Sequence, residues 1–239
     1  DTLGFWNRAS VVTTVPAGMA QSSVQAVIYP SFRDHASDPP TTRIIWSRFA
    51  VGLSILVWPV VGVLVPSMGV ITRVLFGAGW DQSAQMAQWM IASAGVAFVY
   101  TLLSAGQESA GLFRQVYPLT SILVVGSTAS ALLAVASGSW VAVAAGLLLT
   151  YVVAHAVQLV RAGRSGFVDL AYILRRYVLV LLASVTIGGF TWGLLRLSSG
   201  IGLELVFVVM LLLLTACVSL FTVWRSADLR AVVGMLSHR

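Results

Sequence analysis

Long apolar segments follow one another along the chain, separated by short stretches that hold nearly all of its charged residues. A helix rises 1.5 Å per residue, so about 20 mostly apolar residues are needed to cross a hydrocarbon core of ~30 Å. Seven segments meet this requirement: residues 10–31, 44–66, 83–110, 115–137, 140–160, 173–195 and 203–224. The pattern predicts an all-α fold, a polytopic transmembrane helix bundle of about seven spans.

The distribution of arginine predicts how these spans are oriented. All fourteen basic residues are arginine, and if the linkers alternate sides, eleven lie on one side and only Arg8, Arg73 and Arg196 on the other. Cytoplasmic loops carry the excess of positive charge in membrane proteins. We therefore expect the N-terminus outside and four regions in the cytoplasm: residues 32–43, 111–115, 161–172 and the C-terminal tail.

Composition and spacing argue against several other classes of protein. The chain is 58% hydrophobic and 9% charged, and it has no basic run interleaved with exposed aromatic residues, so no nucleic acid partner is expected. Its single cysteine, Cys217, allows no disulfide within the chain and no cysteine metal cluster. No spacing suggests a Ser/His/Asp set or paired carboxylates. We therefore expect no catalysis, no metal and no cofactor.

The first segment is the least apolar, and its polar residues share one helical face. Asn7, Thr14, Gly18, Gln21 and Gln25 are separated by seven, four, three and four positions. We call this set the polar stripe. Because lipid cannot satisfy side-chain amides, the stripe must face other helices or water. Two interpretations remain open here: hydrogen bonds between helices, or a water-filled cavity that handles a solute.

Two prolines shape the prediction for the second segment. Pro59 lies in its middle and is expected to kink the helix, because proline removes one backbone hydrogen bond. Pro66 lies near the end of the segment. The following stretch, residues 69–76, is too short to span a membrane, so we expect a short interfacial helix there. A glycine turn, Gly77–Gly79, and Trp80 at the depth of the lipid headgroups should follow.

A few polar or small residues stand out in the later segments. Glu108 is either an interfacial carboxylate near Arg114 or a protonatable, ion-coupling group. His155 is isolated within its segment and is expected to be a core or headgroup-level histidine. Small residues in the fourth span and the pair Gly189 and Gly193 predict close helix packing.

Three short motifs resemble bacterial oligosaccharide flippases, in the same order and spacing. Residues 3–9, Leu-Gly-Phe-Trp-Asn-Arg-Ala, resemble the LGxYxxA opening found midway along that family. Residues 27–32, Val-Ile-Tyr-Pro-Ser-Phe, are similar to the end of the same helix, and residues 73–80 resemble its "rlLFGxxW" stretch. Phe5-Trp6 stands where the family usually has one tyrosine. The resemblance covers residues 1–112 and is only a match of hydropathy beyond them.

The family is the polysaccharide-export branch of the multidrug, oligosaccharidyl-lipid and polysaccharide exporter superfamily. Its members have two six-helix lobes around a central cavity, and some carry an extra pair of helices. The resemblance implies that residues 1–160 supply five spans of the C-terminal lobe and residues 161–239 an additional pair with a cytoplasmic tail. It also implies that an N-terminal lobe, encoded upstream of Asp1, completes the protein in the bacterial inner membrane.

The resemblance further implies a substrate, an oligosaccharide linked to undecaprenyl pyrophosphate, that is moved to the outer leaflet for lipopolysaccharide or O-antigen synthesis. Arginine suits pyrophosphate because its planar fork binds oxygens in pairs. The expected substrate-binding residues are Arg8, Gln21, Gln25 and Arg48. For Arg48 the alternative is that its side chain only extends to the membrane–water interface. Two other functions stay open: a small-solute or drug antiporter on the same fold, and a membrane-embedded enzyme of polysaccharide assembly.

Overall fold

The structure, a computed structural model, describes residues 2–33, 39–198 and 200–225. The predicted C-terminal tail and residues 34–38 of the first loop lie outside the described residues. Throughout the described ranges, all regular secondary structure is helical, which confirms the predicted fold class. The seven helices are α1 (Thr2–Arg33), α2 (Pro39–Phe76), α3 (Asp81–Ser109), α4 (Phe113–Ser137), α5 (Trp140–Arg164), α6 (Leu170–Leu197) and α7 (Ile201–Arg225).

Six of these helices, α2 to α7, are long and apolar enough within the described ranges to cross a membrane. The chain is therefore a multi-pass membrane protein. Helix α1 has 32 residues, which is sufficient length, but it does not reach the apolar character of the other six. The polar stripe accounts for this difference, and the spanning of the membrane by α1 stays a prediction.

Helix α2 runs unbroken for 38 residues through both Pro59 and Pro66. The predicted separate interfacial helix at residues 69–76 is therefore wrong, since those residues form the last two turns of α2. Proline is tolerated in spanning helices because neighbouring helices and local adjustments satisfy the freed carbonyls. The glycine turn after it is confirmed: Gly77 and Gly79 have φ of 85° and 92°, a conformation that favours glycine.

Helices α2 and α3 form the centre of the bundle. Helix α1 packs along α3, and α5 covers another side of α3 while pairing with α4. Helices α6 and α7 both pack against α2, although the chain enters α6 directly from α5. The loop from α5 to α6 is fixed to α2: the Ser47 hydroxyl oxygen accepts from the amide of Asp169 at 2.6 Å, and Arg43 pairs with the Asp169 carboxylate at 3.3 Å.

The α4–α5 crossing is built from small residues that interlock reciprocally. A Cβ placed on Gly126 would lie 2.5 Å from the Thr150 side chain, and one on Gly146 would collide with Ser130. Both hydroxyls donate to carbonyls of their own helix, Ser130 to Gly126 at 2.7 Å and Thr150 to Gly146 at 2.8 Å. Close packing by small residues in the fourth span is thus confirmed.

The α2–α6 crossing uses a different pair of residues from the one that the sequence suggested. A Cβ on Gly62 would lie 2.5 Å from the Ser184 carbonyl oxygen, and one on Gly188 would lie 3.0 Å from the Gly62 carbonyl oxygen. Gly189 and Gly193 have open space around them within this chain. The glycine of α6 that contacts α2 is therefore Gly188, one position before the expected Gly189, because the rotation of α6 turns Gly188 towards α2.

Replacing Gly62 with alanine is expected to destabilise the protein by about 1–3 kcal/mol, since the added methyl group meets backbone that cannot rotate away. Gly189→Ala is the matched control, because its methyl group enters open space and alanine favours the helix. Thermal unfolding of both variants in one detergent measures the difference. Equal midpoints for the two variants would contradict the close α2–α6 crossing.

Candidate functional site

Arg8 lies against an aromatic cluster where α1 begins and α2 ends. Its guanidinium carbon is 5.0 Å from the centre of the Phe76 ring and 5.6 Å from that of Trp80. Phe5 packs edge-on against Trp80 at 5.4 Å, and the Ser83 hydroxyl donates to the Phe5 carbonyl at 2.9 Å. Residues 3–9 and 73–80, two of the motifs recognised in the sequence, thus pack directly on each other. The side chain of Arg8 is still exposed, so one face of the guanidinium is held by rings while its donors remain accessible.

The polar stripe of α1 lies beside the face that packs on α3. That packed face includes Ala9 and Thr13, both fully buried. Within the stripe, Asn7, Thr14 and Gly18 are exposed, whereas Gln21 and Gln25 are half-buried.

Thr14 donates to the Ser10 carbonyl of its own helix at 2.9 Å. Neither glutamine amide has a hydrogen-bond partner among residues 2–33, 39–198 and 200–225, so hydrogen bonding within this part of the chain does not account for the two glutamines. The exposed members of the stripe, Asn7, Thr14 and Gly18, lie on the outer surface of the described helices.

Arg48 and Glu108 lie at the end of the bundle opposite Arg8. The ring of Trp46 on α2 covers Gly106 on α3, which places Arg48 and Glu108 at a similar level. Both side chains are half-buried. In the described part of the chain, no ion pair involves the Glu108 carboxylate, and both interpretations of this residue stay open.

The predicted site residues lie at different levels along the length of the bundle. Val24 of α1 packs on the cluster around Trp46, so Gln25 lies at the same end as Arg48. Gln21 follows Arg8 by thirteen positions, or about 20 Å along the helix axis. The structure brings no single cluster together from Arg8, Gln21, Gln25 and Arg48; it spreads them from one end of the bundle to the other.

A buried chain of polar side chains crosses α6, α5, α3 and α4, and sequence reasoning missed most of it. His155 lies 3.3 Å from the Tyr177 hydroxyl through Nε2 and 3.0 Å from the Gln158 oxygen through Nδ1. The Gln158 amide donates to the Gln107 oxygen at 3.1 Å, and Gln107 donates to Gln115 at 3.2 Å. His155 is a core residue, as predicted, but it is not isolated. The signal available in the sequence was the presence of two amides, at 107 and 158, within apolar spans.

Gln158 is the branch point of this chain. It is fully buried, and besides Gln107 its amide nitrogen lies 2.8 Å from the Ser104 hydroxyl and 3.2 Å from the Tyr100 carbonyl. Every one of these partners is on α3. The network therefore fixes α5 against α3 in one rotational setting, since an amide buried in an apolar span must keep its partners.

Replacing Gln158 with leucine should cost about 1–3 kcal/mol, because Ser104 and Gln107 would each lose a buried partner. The double variant Gln107→Leu/Gln158→Leu should lose less than the sum of the two single changes, since fewer polar groups are then left unpaired. Gln85→Leu is the control, the same change at an exposed position of α3. The unfolding midpoints of the two single variants, the double variant and the control are measured in detergent. Losses of stability that add strictly in the double variant would contradict the coupling of Gln107 and Gln158.

An open apolar groove of about 560 Å³ lies between α2, α6 and α7. Its walls are hydrocarbon apart from a few hydroxyl groups, and its lining includes Ile55, Pro59, Leu179, Ile187, Phe190, Leu211, Leu214 and Val218. Such a surface within spanning helices accommodates hydrocarbon chains rather than sugars or ions. Throughout the described ranges, no three His, Cys, Asp or Glu side chains are gathered as metal ligands would be.

The fold and these surfaces define a multi-pass helical membrane protein with polar groups on one outer helix and an apolar groove on another side. A family model described as "Polysaccharide biosynthesis protein" matches residues 1–85, which comprise α1, α2 and the first residues of α3. The matched region contains the Arg8 aromatic cluster and the polar stripe. Searches of curated proteins and of solved structures gave no match.

Proposed function

We propose that this chain is part of a flippase that moves a lipid-linked oligosaccharide across the bacterial plasma membrane. The observation that carries the proposal is the family match over residues 1–85, in a protein whose other helices are membrane spans. Polysaccharide synthesis supplies the sugar, and the linkers between the described helices are short, which suits transport more than synthesis.

The physical problem for such a protein is a charged, hydroxyl-rich head group attached to a hydrocarbon tail. The polar stripe offers amides and hydroxyls on the outer side of α1, where a second lobe, as the family resemblance implies, would close a hydrated cavity around it. The groove between α2, α6 and α7 offers apolar walls to the polyprenyl tail. Head group and tail would thus meet surfaces of matching polarity.

Arg8 and Arg48 suit the pyrophosphate at the two ends of the path. They lie at opposite ends of the bundle, so in alternating access one binds before the head group crosses and the other after it. The arginine fork offers paired donors to phosphate oxygens, which a lysine does not. With the N-terminus outside, Arg48 lies on the cytoplasmic side and Arg8 on the outer side.

The deciding experiment deletes the gene and follows the fate of the lipid-linked oligosaccharide. Loss of surface polysaccharide, with complete lipid-linked oligosaccharide accumulating in the cytoplasmic leaflet, is the result expected of a flippase. An incomplete or missing lipid-linked sugar would instead identify an assembly enzyme. Unchanged polysaccharide with increased drug sensitivity would identify an antiporter.

One observation keeps a small-solute or drug antiporter as the second candidate: Glu108 is half-buried at the end of α3 and has no ion pair in the described ranges. A carboxylate in that position suits ion coupling. In the flippase, the same group would couple an ion gradient to the movement of the lipid. Glu108→Gln abolishes ion dependence in either case, so the transported substrate and not this variant separates the two functions.

The proposed orientation makes a further prediction about sidedness. Reporter fusions after Ser226 and after Ser198 should report opposite sides of the membrane, with the Ser226 fusion cytoplasmic. The reason is that seven alternating spans would put eleven of the fourteen arginines on the side of Ser226. Fusion to an enzyme that is active only outside the cytoplasm, paired with a protein that fluoresces only inside it, measures this. The same side for both fusions would contradict the orientation.

A further inference from the structure

Three arginines gather where α4 begins and α5 ends. The Nη2 of Arg161 donates to the Arg114 carbonyl at 3.2 Å, and the neighbouring Ser165 hydroxyl donates to Gln115 at 3.4 Å. Arg164 lies one turn after Arg161 on α5, so it shares that end of the helix. These contacts join the first turn of α4 to the last turn of α5. We call Arg114, Arg161 and Arg164 the α4–α5 arginine cluster.

The cluster carries three positive charges that no described acid neutralises. Over the described ranges, the ion pair found joins Arg43 to Asp169, and it includes no member of the cluster. The Nε of Arg161 is buried and donates to no described atom. The first turn of α4 has no acidic residue, and its N-cap, Leu112, offers no side-chain acceptor. The partial positive charge of that helix end therefore adds to the arginines.

The same helix end leads into a bare apolar surface. Next to Arg114, the aromatic rings of Phe113 and Tyr117 are 49% and 68% exposed. Further along α4, five large apolar side chains are exposed: Val124, Val125, Leu132, Leu133 and Val135. A ligand that matches both features carries a phosphate at one end and hydrocarbon along the rest of its length.

We propose that the α4–α5 arginine cluster binds the phosphate of an anionic phospholipid, whose acyl chains lie along the exposed face of α4. A free phosphate ion would leave the apolar face unused. Basic residues at the ends of spanning helices attract anionic lipid by about 1 kcal/mol each. The bound lipid would hold the α4–α5 pair, which has one side bare, in place on α3. This inference does not depend on the flippase proposal.

The test compares binding of phosphatidylglycerol to the purified protein in nanodiscs of phosphatidylcholine. Each arginine of the cluster contributes about fivefold, so Arg161→Gln/Arg164→Gln should bind phosphatidylglycerol about 30-fold more weakly than the unmodified protein. Arg73→Gln/Arg196→Gln is the matched control, since it removes two exposed arginines from the opposite surface. The control should bind within twofold of the unmodified protein.

Two more comparisons distinguish a lipid site from a general loss of stability and from a site for a soluble anion. The measure of binding is the rise in unfolding temperature that phosphatidylglycerol causes over pure phosphatidylcholine in the same protein. This rise should be equal in the unmodified protein and the control and much smaller in the cluster variant. If Arg161→Gln/Arg164→Gln is unstable, Arg161→Lys/Arg164→Lys takes its place in the test. The lysine variant keeps the charge and should keep most of the binding. Equal losses in the cluster and control variants would overturn the proposal. Displacement of the lipid by millimolar inorganic phosphate or pyrophosphate would also overturn it, by identifying a site for the soluble anion.

Discussion

Gly106→Ala should be the most damaging single substitution in the bundle. An added Cβ would collide with the Trp46 indole at Cη2, Cζ2 and Cζ3. The indole cannot move aside, because it is stacked on Phe167 at 5.3 Å and packed edge-on against Phe49 at 5.7 Å. Overpacking of this kind costs about 3 kcal/mol, enough to prevent a marginal protein from accumulating. Yield of monodisperse protein and the unfolding midpoint in detergent measure the effect.

Two further variants make this prediction specific. Gly69→Ala is the control, since glycine 69 is also within a helix but has open space around it. Trp46→Leu should lose stability alone, yet it should partly rescue Gly106→Ala by removing the ring that the methyl group meets. The double variant should therefore be less destabilised than the sum of the two. A Gly106→Ala protein as stable as Gly69→Ala would show that α2 and α3 are further apart here.

The helices of this protein could largely be predicted from sequence because hydropathy alone decides which segments enter lipid. The predicted fourth segment, 115–137, differs from α4 only at its start. The largest error concerned α2, where the sequence suggested a segment ending at residue 66 and a separate short helix at 69–76, whereas one helix continues to Phe76. Proline weakens a helix locally, but whether the helix ends there depends on the neighbours that compensate, and these are not visible in the sequence.

The site was less predictable, because its contacts depend on how each helix is rotated. Arg8 was predicted as a substrate-binding residue, but its aromatic partners Phe76 and Trp80 are about 70 positions away in the sequence. Gln107 and Gln158 each lie in apolar segments, yet nothing local indicates that they face each other. Neighbouring positions on a helix point about 100° apart, so a small error in the rotation of a helix changes which residue makes a contact. The contact of Gly188 with α2, where Gly189 was expected, is an example.

The polar stripe leads to the prediction with the largest effect on function. In the native gene, Gln21→Leu/Gln25→Leu should abolish most export of surface polysaccharide while the amount of protein in the membrane stays the same or rises. Export falls because the cavity loses amides that replace water around the sugar. The protein remains folded because neither amide bonds another described residue, and leucine enters lipid more readily than glutamine.

The matched control is Ser22→Leu/Ser23→Leu, which removes two polar groups from the same turns but outside the stripe. Both serine hydroxyls bond only the Met19 carbonyl of their own helix, so α1 does not need them to pack. This control should keep export near normal. Arg8→Gln should also lower export if its exposed donors contact pyrophosphate, whereas an arginine that only anchors the interface would leave export unchanged.

The reactivity of single cysteines with a water-soluble thiol reagent distinguishes a hydrated cavity from a surface that another helix covers. Cys217 is exposed and must first be replaced by serine, so that a single new cysteine is labelled. Cysteine at position 21 or 25 should then react with a small, charged thiol reagent, and cysteine at position 24 should not, because Val24 packs on the core around Trp46. If the glutamines instead bond helices of another lobe, the new cysteines stay unreactive and the double leucine variant loses protein together with export. Normal export in a stable double leucine variant would remove α1 from the substrate path, since the amides would then serve neither the sugar nor the assembly.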